Sequence, residues 1–490
     1  MLRDDAVGKA QRVTILVTAV LAAAAAVSPA ARGGAATALP QWQDCGDGLR
    51  CAKLSVPVDW ARPRGPRTEI DLALMPAQVP EQRFGTLVVN TGHGPAIEAV
   101  RAQPDTVSEL TRWFDVVLVE ARGLGDRGSA AMVRCAVAQP NPLRLLLASG
   151  KAGWRSYARD NAAYDNSCRA AAGPVYDGLT SWQVAHDLEA LREALGEPRL
   201  RYFGSSYGAV YGQAYLELFP HRAGRMYLEG GFDHTEPGLE QRLTAEARAA
   251  ERRLIAFRDW CRTNQVCPLK DDDAVSVLDD LRRSTPLNAG PGRTVKLRRL
   301  LAAVNAGLAP QHWPELARAL SAAREGDARA LAAMATVTAP APPGTVTGSM
   351  FCHDFMPAVP SHRRFLAMET RLREVAPRVG WMAGRYEIAR CLGMSRQDAP
   401  SWPPHAPDVR NGRPVLVGVG RLDTSAQPLG QIPGARVLWH GDGPGAYLLQ
   451  GAGKLRATCL RTHVHDYLVN GVLPEKDTSC PRELTASLYS

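Results

Sequence analysis

The chain has 490 residues, 45% of them hydrophobic and 22% charged, and carries a formal charge of +9 at pH 7. It is too long for one small domain, and the composition is that of a folded globular protein, which excludes disordered and collagen-like classes. The positive charge does not mark a nucleic-acid binder: its densest stretch is Arg293–Arg299 (RTVKLRR), without a long basic stripe or interleaved stacking aromatics.

The chain begins with Arg3, Lys9 and Arg12, then the apolar run Val13–Val27, then small residues up to Ala36-Thr37-Ala38. A basic start, a short apolar stretch and an A-x-A site form a secretory signal, so residues 1–38 are expected to be cleaved and the mature chain secreted. The run is short for a bilayer span, which needs about 20 apolar residues, so no stable membrane insertion is expected after cleavage. All ten cysteines lie beyond residue 38: Cys45, Cys51, Cys135, Cys168, Cys261, Cys267, Cys352, Cys391, Cys459 and Cys480. An even number suits disulfides made in an oxidising compartment. The spacings Cys45–Cys51 and Cys261–Cys267 lack the C-x-x-C form of structural zinc sites, and no metal or organic cofactor is expected. Pairing of neighbours in chain order is expected, because each such pair closes a local loop.

Lys53–Val58 and Glu69–Pro76 read as strands joined by the turn-rich Ala61–Pro66. Thr86–Asn90, Phe114–Glu120, Arg201–Gly204 and Met226–Glu229 are continuous apolar runs, the pattern of strands covered on both faces of a parallel sheet. Val184–Leu195 is amphipathic at helical spacing and ends at Gly196, a C-terminal cap. From about His234 to Arg396 the pattern turns helical, broken by Ala339–Gly344, before strands resume at Pro414–Gly420 and Ala435–His440 and a last helix follows around Leu460–Val469. Strand–helix alternation with an inserted helical block predicts an α/β fold with a cap. The expected boundaries are a core over 39–233 and 401–490 and a cap over 234–400.

Gly204-Ser205-Ser206-Tyr207-Gly208 is a G-x-S-x-G sequence between a predicted strand and a helix. In that setting the serine sits on a sharp turn that lifts its Oγ above the sheet, and the flanking glycines let strand and helix approach closely. Ser206 is thus the candidate nucleophile, with the Tyr207 N–H as an oxyanion donor. Asp423 follows the strand Pro414–Gly420 and suits the orienting acid of a Ser…Asp…His order. Asp233 is a second candidate for that acid.

These segments resemble the secreted tripeptidyl aminopeptidases, α/β-hydrolases related to proline iminopeptidases. The resemblance spans nearly the whole mature chain. It rests on Thr180–Gly196 leading into Gly204–Gly208, Glu217–Pro220 with Gly224–Met226, Trp260-Cys261 with Cys267–Leu269, Phe351–Asp354, Pro414–Asp423, and Asp466–Leu468 with Gly471, Pro474 and Cys480. It implies an α/β-hydrolase fold with a helical cap, and a serine hydrolase that removes short peptides from free N-termini. Some relatives are amidases on N-acylated small molecules.

Two departures stand out. The family's Gly-rich oxyanion stretch reads Asn90-Thr91-Gly92-His93-Gly94-Pro95 here, leaving Gly92, His93 and Gly94 as candidate oxyanion or substrate-binding residues. The family's catalytic histidine falls at Pro444, in Gly441–Tyr447, and proline cannot take the serine proton. His440, four residues earlier, is the candidate replacement base. The expected function is therefore a secreted serine hydrolase acting on peptide or small-molecule amides. The alternatives are an impaired relative that binds a peptide or small metabolite, and an esterase or lactone hydrolase.

Overall fold

The computed structural model describes residues 40–92, 94–126, 128–148, 150–231, 238–335, 344–355, 359–395, 408–410, 412, 414–422, 429–430, 432–443, 445–452 and 457–483. The expected signal segment 1–38, and with it the cleavage site, lies outside these residues, as do His93, Asp233, Asp423 and Pro444.

One ten-stranded sheet organises the chain. Its strands are β1 (Gln43–Asp44), β2 (Arg50–Pro57), β3 (Arg67–Met75), β4 (Thr86–Asn90), β5 (Asp115–Val119), β6 (Leu200–Ser205), β7 (Ala223–Glu229), β10 (Leu416–Gly420), β11 (Arg436–His440) and β12 (Ser479–Cys480). A short hairpin, β8 (Leu287–Asn288) and β9 (Thr294–Val295), stands apart from it. The sheet order is β1-β2-β3-β5-β4-β6-β7-β10-β11-β12. β2 and β3 form an antiparallel hairpin, and β3 lies antiparallel to β5. From β5 to β12 every pairing is parallel. β4 and β5 are buried beyond their first residue, and apolar there except for Asn90 at the end of β4, because helices cover both faces of the parallel part.

Along the chain the helices are α1 (Ala96–Ala102), α2 (Leu143–Leu147), α3 (Gly150–Ala172), α4 (Ser181–Ala194) and α5 (Tyr207–Leu218). Between β7 and β10 come α6 (Leu239–Thr263), α7 (Ala274–Arg283), α8 (Leu297–Gly307), α9 (Trp313–Arg324), α10 (Arg329–Met334), α11 (Thr347–Phe355), α12 (His362–Val375) and α13 (Ala383–Cys391). After β11 follow α14 (Ala446–Ala452) and α15 (Cys459–His465). α4 starts where the Thr180 side chain accepts from Gln183 N, and beyond its end Gly196 takes φ +68°, the left-handed conformation that glycine adopts without a Cβ penalty.

Side chains alternate across each strand and so feed two cores. Tyr202, Met226 and Leu228 face one; Phe203, Tyr227, Leu438 and Tyr447 face the other. The helical layer beyond the sheet comes from two stretches of chain. Besides α6–α13, α3 of 23 residues packs against the insertion, where Asn161 Nδ2 donates to Leu392 O at 3.1 Å; from the loop before α2, Gln139 Nε2 donates to Arg390 O at 3.0 Å. All five disulfides join neighbours in chain order, as expected: Cys45–Cys51, Cys135–Cys168, Cys261–Cys267, Cys352–Cys391 and Cys459–Cys480. No helix among the described residues is long and apolar enough to cross a membrane.

A buried ion pair ties the N-terminal hairpin to the parallel sheet. Arg122, just past β5, contacts Asp187 of α4 through two bonds of 2.9 and 2.5 Å, and donates to Val58 O at 2.7 Å. Trp60 Nε1 donates to the same carboxylate at 2.7 Å. Removal of two charges from water is partly offset here because every polar side-chain atom of the pair is hydrogen-bonded.

Candidate active site

β6 ends at Ser205 and α5 begins at Tyr207, so Ser206 alone makes the turn. Its backbone stands at φ +52°, ψ −120°, a conformation that costs a non-glycine residue on the order of 1–3 kcal/mol and persists only where the surroundings enforce it. They enforce it with main chain. A Cβ on Gly204 would lie 2.4 Å from Gly208 O, and one on Gly208 would lie 2.2 Å from Asn90 O. The Ser206 N–H is held by Glu229 O at 2.9 Å, and the Tyr202 hydroxyl donates to Gly208 O at 2.7 Å. The glycines flanking the serine thus do what their spacing implied: they let three backbones meet under one residue.

The loop after β4 closes on this turn. Gly92 has φ +71°, and a Cβ there would lie 2.1 Å from Ser205 O and 2.4 Å from Tyr207 N. Its N–H donates to Asn90 Oδ1 at 2.9 Å, while Asn90 Nδ2 donates to Val119 O. Beyond the loop, the buried Glu120 carboxyl accepts from Ala96 N at 2.9 Å and Ile97 N at 2.7 Å, fixing the start of α1. Burial pushes that carboxyl up to about 8, against the pull of the two amides. Gly94, at φ +75°, has open space around its missing Cβ.

The cap reaches the turn through Asp354 at the end of α11. Its Oδ2 accepts from the Tyr207 hydroxyl at 2.8 Å and from Ser181 Oγ at 2.6 Å; its Oδ1 accepts from Ser181 N at 3.0 Å. The Tyr207 ring packs on Tyr211 and Phe355. Sequence reasoning picked Tyr207 for its amide and gave Asp354 no role. The signal was the Phe351–Asp354 motif, but only the fold shows which helix end it meets. His353, its neighbour, is bonded to Leu179 O at 3.0 Å and is pulled down to about 4 by burial.

His440 ends β11 with its ring buried and Nδ1 without a hydrogen bond among the described residues. Burial draws its pKa to about 4, so the ring is neutral near pH 7. Ser205 pairs with Glu229, Glu229 with Gly418 and Gly418 with Leu438, so β11 runs three strands from β6, about 14 Å at the usual strand spacing. The loop after β11 does return to the turn: a Cβ on Gly445 would lie 3.6 Å from Ser205 Oγ. Among the described residues, one group has metal-ligand spacing, Cys459, His463 and Cys480. Its two sulfurs are bonded to each other, which leaves no thiolate to bind an ion.

A doubly wound sheet with a serine at positive φ between its central strand and the next helix defines an α/β-hydrolase, and that is the fold of this chain. A profile of the alpha/beta hydrolase fold matches residues 122–323. The chain is similar to Serine protease Hip1 of Mycobacterium tuberculosis, 27% identical over 478 residues, covering 88% of this chain and 87% of that one. It is 24% identical over 509 residues to Tripeptidyl aminopeptidase of Streptomyces coelicolor, covering 94% and 89%. Carboxylesterase B of Mycobacterium tuberculosis is 28% identical over 335 residues, or 60% of each chain.

Proposed function

We propose that the protein is a serine hydrolase of the peptidase type, cleaving peptide or amide bonds near a free N-terminus. The observation that carries this reading is the strained Ser206 turn, built by backbone contacts at Gly92, Gly204 and Gly208. Similarity to a serine protease and to a tripeptidyl aminopeptidase over most of both chains supports the reaction class.

In the proposed reaction Ser206 Oγ attacks the scissile carbonyl. The Tyr207 N–H and the Gly92–Gly94 loop face the developing oxyanion. Asp423 serves as the orienting acid and His440 as proton acceptor. Substrates are peptides or small-molecule amides, and the mature protein works outside the cytoplasm, in keeping with its five disulfides. The test is labelling of purified protein by a fluorophosphonate, with turnover of tripeptidyl and aminoacyl amides. Labelling and turnover that vanish in Ser206→Ala support the reading; an inert wild type overturns it.

A second reading, a relative that binds a peptide or metabolite without cleaving it, is favoured by the three-strand separation of His440 from the turn. It expects no labelling together with saturable peptide binding by calorimetry. Turnover of esters but not amides would move the substrate class toward the esterase relatives, since a better leaving group demands less of the base.

A further inference from the structure

Directly beneath the turn lies a carboxyl group that the reaction does not use. Glu229 ends β7 and is fully buried. Its main-chain oxygen accepts the Ser206 N–H, while its side-chain Oε2 accepts from the Tyr227 hydroxyl at 2.8 Å and from Tyr447 N at 3.1 Å. Tyr447 belongs to α14, which begins where the loop after β11 ends. One residue therefore grips the nucleophile turn with its backbone and the returning loop with its side chain.

The surroundings are shaped for this grip. Gly418 on β10 leaves the space that the Tyr227 hydroxyl fills: a Cβ there would lie 2.3 Å from that oxygen. Ser205 is the in-register partner of Glu229 on β6. Its Oγ and Glu229 Oε1 are both buried and make no hydrogen bond among the described residues, and a buried polar group of this kind calls for an explanation.

We propose that Glu229 is a positioning residue that clamps the loop after β11 onto the Ser206 turn, and that the clamp tightens when its carboxyl ionises. A carboxylate accepts more strongly than a neutral carboxyl, and the Tyr447 amide is what it would draw in. Burial pushes the group up to about 7, opposed foremost by the Tyr447 amide and the Tyr227 hydroxyl, so ionisation falls in the physiological range. The groups facing it are Tyr227 of β7, Ser205 of β6 and Tyr447 of α14; in α15, Arg461 lies over the Tyr447 ring and His465 Nε2 is hydrogen-bonded to the Tyr447 hydroxyl. No cation among the described residues hydrogen-bonds the carboxyl itself.

This inference rests on the serine hydrolase reading for its kinetic consequence only. The test compares wild type with Glu229→Gln, which keeps the shape and one acceptor but cannot ionise. The wild-type rate of Ser206 labelling by a fluorophosphonate is expected to rise about tenfold from pH 6 to pH 8, following the ionised fraction. That inflection is expected to disappear in Glu229→Gln, and the same inflection in both proteins overturns the switch. Hydrogen exchange of the 445–450 segment reads the clamp without any chemistry at Ser206. Faster exchange in Glu229→Ala than in Glu229→Gln, at one pH, supports it; equal exchange in wild type and both variants overturns it. A wild type that never labels sinks the hydrolase reading and leaves the exchange result to decide the clamp.

Discussion

The Tyr207 hydroxyl donates to Asp354 Oδ2 at 2.8 Å, joining the residue after the nucleophile to the end of a cap helix. A hydrogen bond to a charged group contributes roughly 1.5–3 kcal/mol. Tyr207→Phe is therefore expected to lower stability by about that amount in urea unfolding. Asp354→Ala is expected to cost more, because it strands Ser181 Oγ and Ser181 N as well.

Gly208 offers the sharpest steric test. A methyl group there would lie 2.2 Å from Asn90 O and 2.9 Å from Asn90 Oδ1, so strand and helix must part. Gly208→Ala is expected to lose at least 3 kcal/mol, roughly the upper range for overpacking, and to lose Ser206 labelling. Gly94→Ala, with no neighbour within 4 Å among the described residues but with φ +75°, is expected to cost only about 1–2 kcal/mol of backbone strain. The two variants compared by thermal unfolding separate close packing from conformational strain.

Arg122→Met leaves the Asp187 carboxylate buried, with the Trp60 Nε1–H still donating to it but without its guanidinium partner. The expected loss is about 3–5 kcal/mol, the usual cost of breaking a buried pair from one side. Arg122→Met with Asp187→Leu is expected to recover part of that loss, measured as a positive coupling in a double-mutant cycle.

Glu120 and Glu229 set a pH slope. Both carboxyls are raised in the folded chain, to about 8 and about 7 from an ordinary 4.5. In the unfolded chain they ionise first, so their contribution is full below pH 4.5 and is lost as pH rises through 7 and 8. Stability is expected to fall over that window, by on the order of 3 kcal/mol per group. Glu229→Gln should flatten its part of the slope in Tm against pH; an unchanged slope would contradict the assignment.

Position 444 is adjacent to Gly445, which rests against Ser205. Pro444→His is expected to raise Ser206 labelling by about a hundredfold or more, the typical gain from a placed general base. Circular dichroism would confirm that the fold is kept, and no gain would argue that the loop cannot present a base there.

Much of the architecture was readable from residue patterns. Thr86–Asn90 forms a strand over the very residues expected, and the other core strands shifted by up to three residues at their ends. Continuous apolar runs are unambiguous when both faces are covered. α3 was missed because its buried face sets Asn161 and Asp165 among Trp154, Tyr157, Tyr164 and Cys168, which blurs the apolar pattern. The turn at Ser206 was legible because its glycines have one steric purpose. Asp354 and Glu229 were not, since a carboxylate acquires its role from groups far along the chain: Ser181, Tyr207 and Tyr447. His440 was chosen for its place four residues before Pro444, and the residue pattern alone does not say where its ring lies relative to the serine.

The bond between Cys352 and Cys391 joins α11 to α13 two residues before Asp354. The helix end that meets the nucleophile turn is thus anchored covalently, and the anchor exists only after thiol oxidation. In a chain whose thiols stayed reduced, that fastening between α11 and α13 would be missing. Maturation of the site, on this view, belongs to the compartment where the bonds are made.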